Sequence, residues 1–379
     1  YLILTSRLEM NGYSPDIPQY LWYRIHERYS QFLSMQSDAF LVPGLAAGMH
    51  FKENIHVRGT VSPKLAYHLP GYQELMSFRM PKSVSPVDIK YDKVAPWKGQ
   101  PTSLGCSFSG GVDSFFTAWK HLPQNQPIPQ YRITHALFIH GEDIRNSAKH
   151  RYNTLYSNYR DALAPYEIML VPIESNIMNM LTSRMNLLHF FGAALIGAAH
   201  ALGNLFHDFI ISSSVDHWHI NSLAKSSDPM ADPMPSSDTT NILHYGAEYR
   251  RVEKIKAISD WLPAQQNLRV CQEYASREGA INCSHCEKCI QTMTTLYVLG
   301  KLEKFPTFHN SIRSNLQAVW WARKFDFRKG YFGEIFPFVK KHKPDLLPWL
   351  WFGAVLGYLR YQFVDFVPGF LRRHLQRLR

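Results

Sequence analysis

No apolar run in the sequence is long enough to cross a bilayer. The longest near its end, residues 348–355, falls far short of the ~20 residues a spanning helix needs. No signal peptide is recognisable, and the chain starts at Tyr1 without Met, so its natural start is expected upstream. Cysteine is scarce and odd in number: five residues, four of them crowded between 271 and 289. That distribution argues against a secreted disulfide framework and for a reducing, cytoplasmic setting with a metal site. Acidic residues are few beside basic ones, 30 Asp and Glu against 41 Lys and Arg, which leaves a net charge of +11. The excess favours anionic partners such as nucleotides, nucleic acid or an acidic membrane surface, without choosing among them. No internal repeat is present. The remainder is an ordinary globular mixture, 45% hydrophobic in 379 residues, enough for two or three domains.

Residues 1–98 read as a separate small α+β domain, with a helix over 18–34 and short alternating segments such as 55–58, punctuated by Pro and Gly. The pattern then changes. Strands are expected at 102–108, 134–139, 166–171 and 208–212, and helices at 113–122, 147–164 and 187–202. Strand and helix alternating at this spacing imply right-handed parallel βαβ units. The nearly continuous apolar strands fit a sheet covered on both faces. The fold class is therefore α/β, a doubly wound parallel sheet. Residues 212–245 are polar and without periodicity, as in a functional loop or a disordered segment. This core domain is expected to span 99–308 and to be followed by a helical C-terminal region, 309–379.

The strongest local signal is Ser109-Gly110-Gly111-Val112-Asp113-Ser114 between a strand and a helix. Two glycines let the backbone turn sharply and approach phosphate oxygens. The amides form a nest, and the following helix adds the positive end of its dipole. Ser109 and Ser114 can donate hydroxyl hydrogen bonds. Asp113 would repel phosphate directly, so it caps the helix or holds Mg²⁺. The lysine of a Walker A loop is missing, and so is the spacing of a dinucleotide fingerprint.

This segment resembles the signature of the PP-loop ATP pyrophosphatase superfamily, whose fold is of the adenine nucleotide alpha hydrolase-like kind. The resemblance implies that ATP and Mg²⁺ are bound by Ser109, Gly110, Gly111, Val112, Asp113 and Ser114. It also implies that a carbonyl, carboxylate or amide oxygen is adenylated, with pyrophosphate released. Ligands of such sheets lie at the carboxyl ends of the strands. His140 and Ser213 are therefore expected beside the nucleotide, and Asp143, Asp216, Arg251 and Lys254 as substrate contacts. Arg251 and Lys254 sit in a charged stretch, Arg251-x-Glu253-Lys254, that also suits a solvated helix face.

Cys283-x2-Cys286-x2-Cys289 with Cys271 upstream supplies four soft ligands, suited to structural tetrahedral Zn²⁺. A cysteine-held Fe–S cluster is the rival. A PP-loop core followed by such a knuckle resembles the cyano-deazaguanine synthases and a wider PP-loop group. The resemblance covers residues 104–308 and leaves both ends outside.

Cys106 stands apart, three residues before Ser109 on the same strand. A lone strand cysteine is most often a small core residue. Beside Mg²⁺-ATP and a helix N-terminus its pKa would instead fall, and it could carry a persulfide, as in the 6-thioguanine synthetase-like enzymes this chain also resembles. The resulting expectation is adenylation of a small purine-like carbonyl followed by sulfur transfer, with sulfide or a donor protein as sulfur source. Cys106 and Asp113 are the expected catalytic residues, and a homodimer is the assembly considered. Rivals are a ligase using ammonia or an amine, a tRNA thiolase and a non-catalytic nucleotide-binding partner protein. The basic, aromatic tail with Lys340, Lys341, Lys343, Arg360, Arg372, Arg373, Arg377 and Arg379 would suit the tRNA reading.

Overall fold

The computed structural model describes residues 1–9, 17–182, 188–217, 228–271, 280–309, 314–323 and 331–365. Its strands are β1 (Leu2–Arg7), β2 (Tyr20–Ile25), β3 (Ile55–Val61), β4 (Ile89–Val94), β5 (Ser103–Ser107), β6 (His135–His140), β7 (Met169–Ser175), β8 (Phe206–Ser212) and β9 (Asn241–Tyr245). Its α-helices are α1 (Asp38–Phe51), α2 (Pro63–Arg79), α3 (Val112–Lys120), α4 (Lys149–Leu163), α5 (Ile177–Leu181) and α6 (Phe191–Ala201). They continue as α7 (Arg251–Ile258), α8 (Leu262–Asn267), α9 (Glu287–Val298), α10 (Asn315–Ala322), α11 (Tyr331–His342) and α12 (Leu347–Asp365). The chain packs as two compact units, Tyr1–Tyr249 and Arg250–Arg379, and all the described strands belong to the first.

The main sheet has the order β1-β2-β7-β6-β5-β8-β9. Strands β5 to β9 run parallel, whereas β1 and β2 add an antiparallel edge. From central β5 the chain steps outward through β6 to β7, then returns to the other side of β5 for β8 and β9. This is an α/β fold with a mostly parallel central sheet, compatible with double winding. The reversal of direction leaves a switch point beside β5, where the connections diverge.

The central strands β5 and β6 are buried along nearly their whole length, as a sheet with two covered faces requires. Leu137, Ile139, Val171, Ile173, Phe209 and Ile211 enter one core together with α1 and α6. On alternate positions Phe138 stacks on Tyr152 of α4, ring centroids 4.7 Å apart, and meets Tyr159 edge-on at 5.3 Å. Helix α6 is buried from Gly192 to Ala201 and carries mostly Gly and Ala. That smallness is what permits close packing. A Cβ on Gly197 would collide with the Tyr23 hydroxyl and would lie 2.6 Å from the Ala39 carbonyl of α1.

Residues 18–34 do not form the expected helix. They give β2 and a short 3-10 turn, Glu27–Phe32. The physical reason is a period of two: Leu21, Tyr23 and Ile25 point inward between more exposed neighbours. Strand β2 pairs antiparallel with β7, and the Asn176 side chain ties it down. Its Nδ2 donates to the Tyr20 carbonyl at 2.8 Å and its Oδ1 accepts the Trp22 amide at 2.9 Å. Residues 1–98 thus extend the main sheet, and only β3 and β4 form a separate two-stranded ribbon. Within 212–245, where no periodicity was legible, β9 forms and pairs with β8. The division between units falls after Tyr249, within the region expected to run from 99 to 308.

Truncating the fully buried Phe209 to Ala should lower the unfolding free energy of the protein by about 3–5 kcal/mol, measured by denaturant titration. A loss below ~1 kcal/mol would contradict the packing of β8 described above.

Candidate functional site

Strand β5 ends at Ser107, and the Phe108 amide donates to the Leu137 carbonyl at 2.9 Å, holding the chain in line until the turn. The turn is made at Gly110, whose φ of +76° lies in the left-handed region. A Cβ there would also strike the Tyr159 hydroxyl. Tyr159 belongs to an aromatic floor in which Phe108 meets Phe115 at 5.0 Å and Tyr159 at 5.4 Å. Glycine at 110 is therefore required twice, by the backbone and by the floor.

Helix α3 starts at once, with Gly111 as its N-cap. Glycine brings no side chain to the cap, so the amides and the positive dipole end of α3 face the loop. The Ser114 hydroxyl donates to the Gly111 carbonyl at 3.1 Å, and the Phe115 amide donates to the same carbonyl at 3.0 Å. Asp113 lies in the first turn, partly exposed, while Val112 is fully buried and anchors the helix to the sheet. The Ser109–Ser114 segment thus joins β5 to α3 through a left-handed glycine turn.

The neighbouring strand ends lie at the same edge of the sheet. His140 closes β6, buried, stacked on Tyr152 at 4.4 Å with 19° between the rings. Its Nδ1 is 3.2 Å from Glu174 Oε1, and its Nε2 is 3.1 Å from the Arg145 carbonyl. Glu174 is also ion-paired with Arg24 of β2. Burial lowers the His140 pKa, against the pull of Glu174. Both ring nitrogens are thus engaged inside the protein. Asp143 is exposed in the turn after β6. Ser213 is fully buried after β8, where its amide donates to the Tyr245 carbonyl at 2.8 Å and its hydroxyl to that of Val215. Asp216 is buried three residues on.

Arg251 and Lys254 stand on α7 of the second unit. Lys254 is buried there with Val252, Ile255 and Ile258, so this is no solvated helix face. Glu253 accepts the Arg250 amide at 2.8 Å and acts as a helix cap.

Cys106 departs from expectation. It is fully buried, with Ala136 and Ile210 as its register partners on the flanking strands. Burial pushes its thiol up to about 12, the opposite of the depressed value a nucleophile needs. The apolar interior of the sheet outweighs any field from the loop, and Cys106 behaves as a core residue.

The four clustered cysteines do converge. The Sγ atoms of Cys271, Cys283, Cys286 and Cys289 all lie within 4.8 Å of one another. Cys283 and Cys289 are 3.8 Å apart, and Cys286 and Cys271 4.0 Å. Four thiolates 2.3 Å from one tetrahedral ion would be about 3.8 Å apart, so the group can hold a metal ion such as zinc. Cys286 is the N-cap of α9, and Cys289 is in its first turn, where the helix dipole favours thiolates. Hydrogen bonding from Cys289 pulls Cys286 down to about 5, and the same contact drives Cys289 upward.

The residue that assembles the group went unread in the sequence. Asn282 is fully buried and clamps the distant segment 268–271. Its Oδ1 accepts the Val270 and Cys271 amides at 2.8 and 3.2 Å, and its Nδ2 donates to the Leu268 carbonyl at 2.8 Å. The only available signal was an amide side chain directly preceding Cys283. Ser284, at φ +61°, makes the sharp turn between the first two knuckle cysteines.

In the tail, Lys340 and Lys341 are exposed on α11, and Lys343 Nζ lies 4.9 Å from the centre of the Tyr297 ring. Arg360 falls on α12, and Arg372, Arg373, Arg377 and Arg379 lie outside the described residues. No helix among the described residues is long and apolar enough to cross a membrane.

The described residues form an α/β protein with a glycine turn at the centre of its sheet and four converging cysteines that could hold a metal ion. No family model, curated protein or solved structure matches the chain.

Replacing Cys289 with Ser should remove the bound metal of the purified protein, read by elemental analysis, and lower its melting temperature. Full metal content in that variant would contradict the four-sulfur assignment.

Proposed function

We propose that the protein is an ATP pyrophosphatase that adenylates a carbonyl oxygen on a small base-like substrate. The observation that carries this reading is the β5–Gly110–α3 turn at the switch point of the sheet. There a left-handed glycine and a helix N-terminus with no side-chain cap lie where open α/β sheets bind ligands. The backbone amides of the loop would hold the β- and γ-phosphates, the part of ATP that leaves. Asp113, in the first turn, would hold Mg²⁺ bridging them. No lysine enters the loop to follow the γ-phosphate, which fits departure of pyrophosphate as a unit better than transfer of a phosphoryl group.

Amide oxygen is a poor leaving group and AMP a good one, so adenylation makes the carbon open to substitution. Sulfur remains the preferred nucleophile, delivered from outside the chain as sulfide or by a donor protein. Cys106 is not its carrier, because a thiol at about 12 is scarcely ionised at neutral pH. The four-cysteine group binds zinc in a structural role: its four ligands leave no open coordination position, and its sulfurs are spaced for one ion. An Fe–S cluster would hold its cysteines around several irons, farther apart.

Equilibrium dialysis with radiolabelled ATP and Mg²⁺ tests the loop directly. The wild type should bind, and Gly110→Ala should lose binding because the new Cβ meets both the left-handed backbone and Tyr159. Equal binding by the two proteins would overturn the assignment. Cys106→Ala should retain formation of the sulfur-substituted product, read by mass spectrometry. Its loss in a variant that melts normally would restore a chemical role to the thiol.

A further inference from the structure

The second unit carries an apolar face that neither the glycine turn nor the metal site uses. Helix α12 follows the polar turn Lys343-Pro344-Asp345. From Leu347 to Leu359 it contains no Asp, Glu, Lys, Arg, His, Asn, Gln, Ser or Thr. A helix apolar on every side belongs in a core or in lipid. Helix α12 has only one side in a core. Leu350, Gly353, Ala354 and Gly357 form its buried stripe. The two glycines, four apart, let α12 settle on the backbone of α10. A Cβ on Gly353 would strike the Val319 carbonyl, and one on Gly357 the Arg323 carbonyl. Small-residue crossings of this kind are common between helices in lipid.

The opposite stripe faces outward. Trp349, Phe352, Leu356 and Leu359 recur along it at helical spacing, all exposed. Phe352 is 57% exposed and Leu359 45%. Trp351 and Tyr358 are exposed on its flank. On α10, Leu316 and Trp320 are exposed one helical turn apart. Apolar side chains aligned over about three turns of exposed helix mark a surface that meets something other than water.

Charge points to what it meets. Between residues 340 and 379 the sequence has eight Lys and Arg against two acidic residues, Asp345 and Asp365. Lys340 and Lys341 are exposed in the last turn of α11, shortly before α12, and no acidic residue follows Asp365. Basic residues therefore bracket the apolar stretch along the chain. A second copy of this chain fits poorly, because antiparallel pairing of two α12 helices would set the lysines of one against Arg360 of the other, and parallel pairing would set like ends together. A nucleic acid would answer the charge and stack on the tryptophans, but it offers nothing to Leu356 and Leu359. An anionic bilayer answers both. Trp and Tyr favour the boundary between headgroups and acyl chains, and Lys and Arg favour anionic headgroups.

We propose that α12 lies in the surface of an anionic phospholipid bilayer, its outward stripe among the acyl chains and the flanking basic residues on the headgroups. It lies on the bilayer and does not cross it, as no helix among the described residues is long and apolar enough to span. The polar face of an ordinary interfacial helix is replaced here by packing on α10, so the attraction to anionic lipid comes from the flanks. The docking surface belongs wholly to the second unit and does not depend on the nucleotide reading of the turn in the first.

Vesicle co-sedimentation of the intact protein tests the proposal. The wild type should pellet with vesicles of equimolar phosphatidylcholine and phosphatidylserine and less with phosphatidylcholine alone, and its tryptophan emission should shift to the blue on binding. Phe352→Glu puts a charge into the outward stripe and should weaken vesicle affinity by about tenfold or more. Its melting temperature should match that of the wild type, because the side chain it replaces is exposed. Leu359→Glu is the second variant, expected to act alike, so that poor folding of one does not decide the question. Lys340→Glu with Lys341→Glu should remove much of the preference for phosphatidylserine. A wild type that stays in the supernatant with both vesicle compositions overturns the proposal, and so does unchanged vesicle binding by both stripe variants. If the stripe variants instead turn a dimer into a monomer, or abolish RNA binding, in a protein that ignores vesicles, the face belongs to a second copy or to nucleic acid and the lipid assignment falls.

Discussion

The backbone of Gly110 passes over the hydroxyl of Tyr159 with no room for a side-chain carbon. This close approach determines much of what surrounds it. It requires φ of +76°, which only glycine adopts freely, and it turns β5 into α3 within a few residues. The aromatic floor of Phe108, Phe115, Phe138 and Tyr159 supports the turn from below. Val112 then anchors the helix so that its first turn faces outward at the centre of the sheet. A looser turn would leave amides pointing in several directions, and an anion site depends on their pointing in one.

Much of this was legible in the sequence, and for a local reason. The strand, the two glycines and the following helix are consecutive, so short-range pattern suffices to read them. The same holds for β6, β7 and β8, whose apolar runs are the signature of a sheet with two covered faces. Three of the knuckle cysteines announce themselves by spacing, and Cys271 by proximity. What stayed illegible depends on contacts distant in sequence. Strand β2 looks helical by composition until β7 supplies its partner and Asn176 its clamp. Strand β9 is five residues inside a polar stretch, a strand because β8 offers an open edge. The residue of the Asn282 clamp is ordinary in sequence, given meaning only by what folding brings beside it.

Cys106 illustrates the same limit from the other side. Its closeness to Ser109 along the chain suggested chemistry, but a strand alternates its side chains between faces and buries them between neighbouring strands. Three residues of strand carry the thiol about 10 Å from the loop along the chain. There the surrounding protein disfavours the thiolate.

A crystal structure with Mg²⁺ and a non-hydrolysable ATP analogue tests the central claim most directly. The account predicts the terminal phosphates against the backbone amides of the Gly110–Ser114 turn, with Mg²⁺ on Asp113. A nucleotide bound away from the carboxyl end of β5, or phosphates making no contact with that turn, would contradict it.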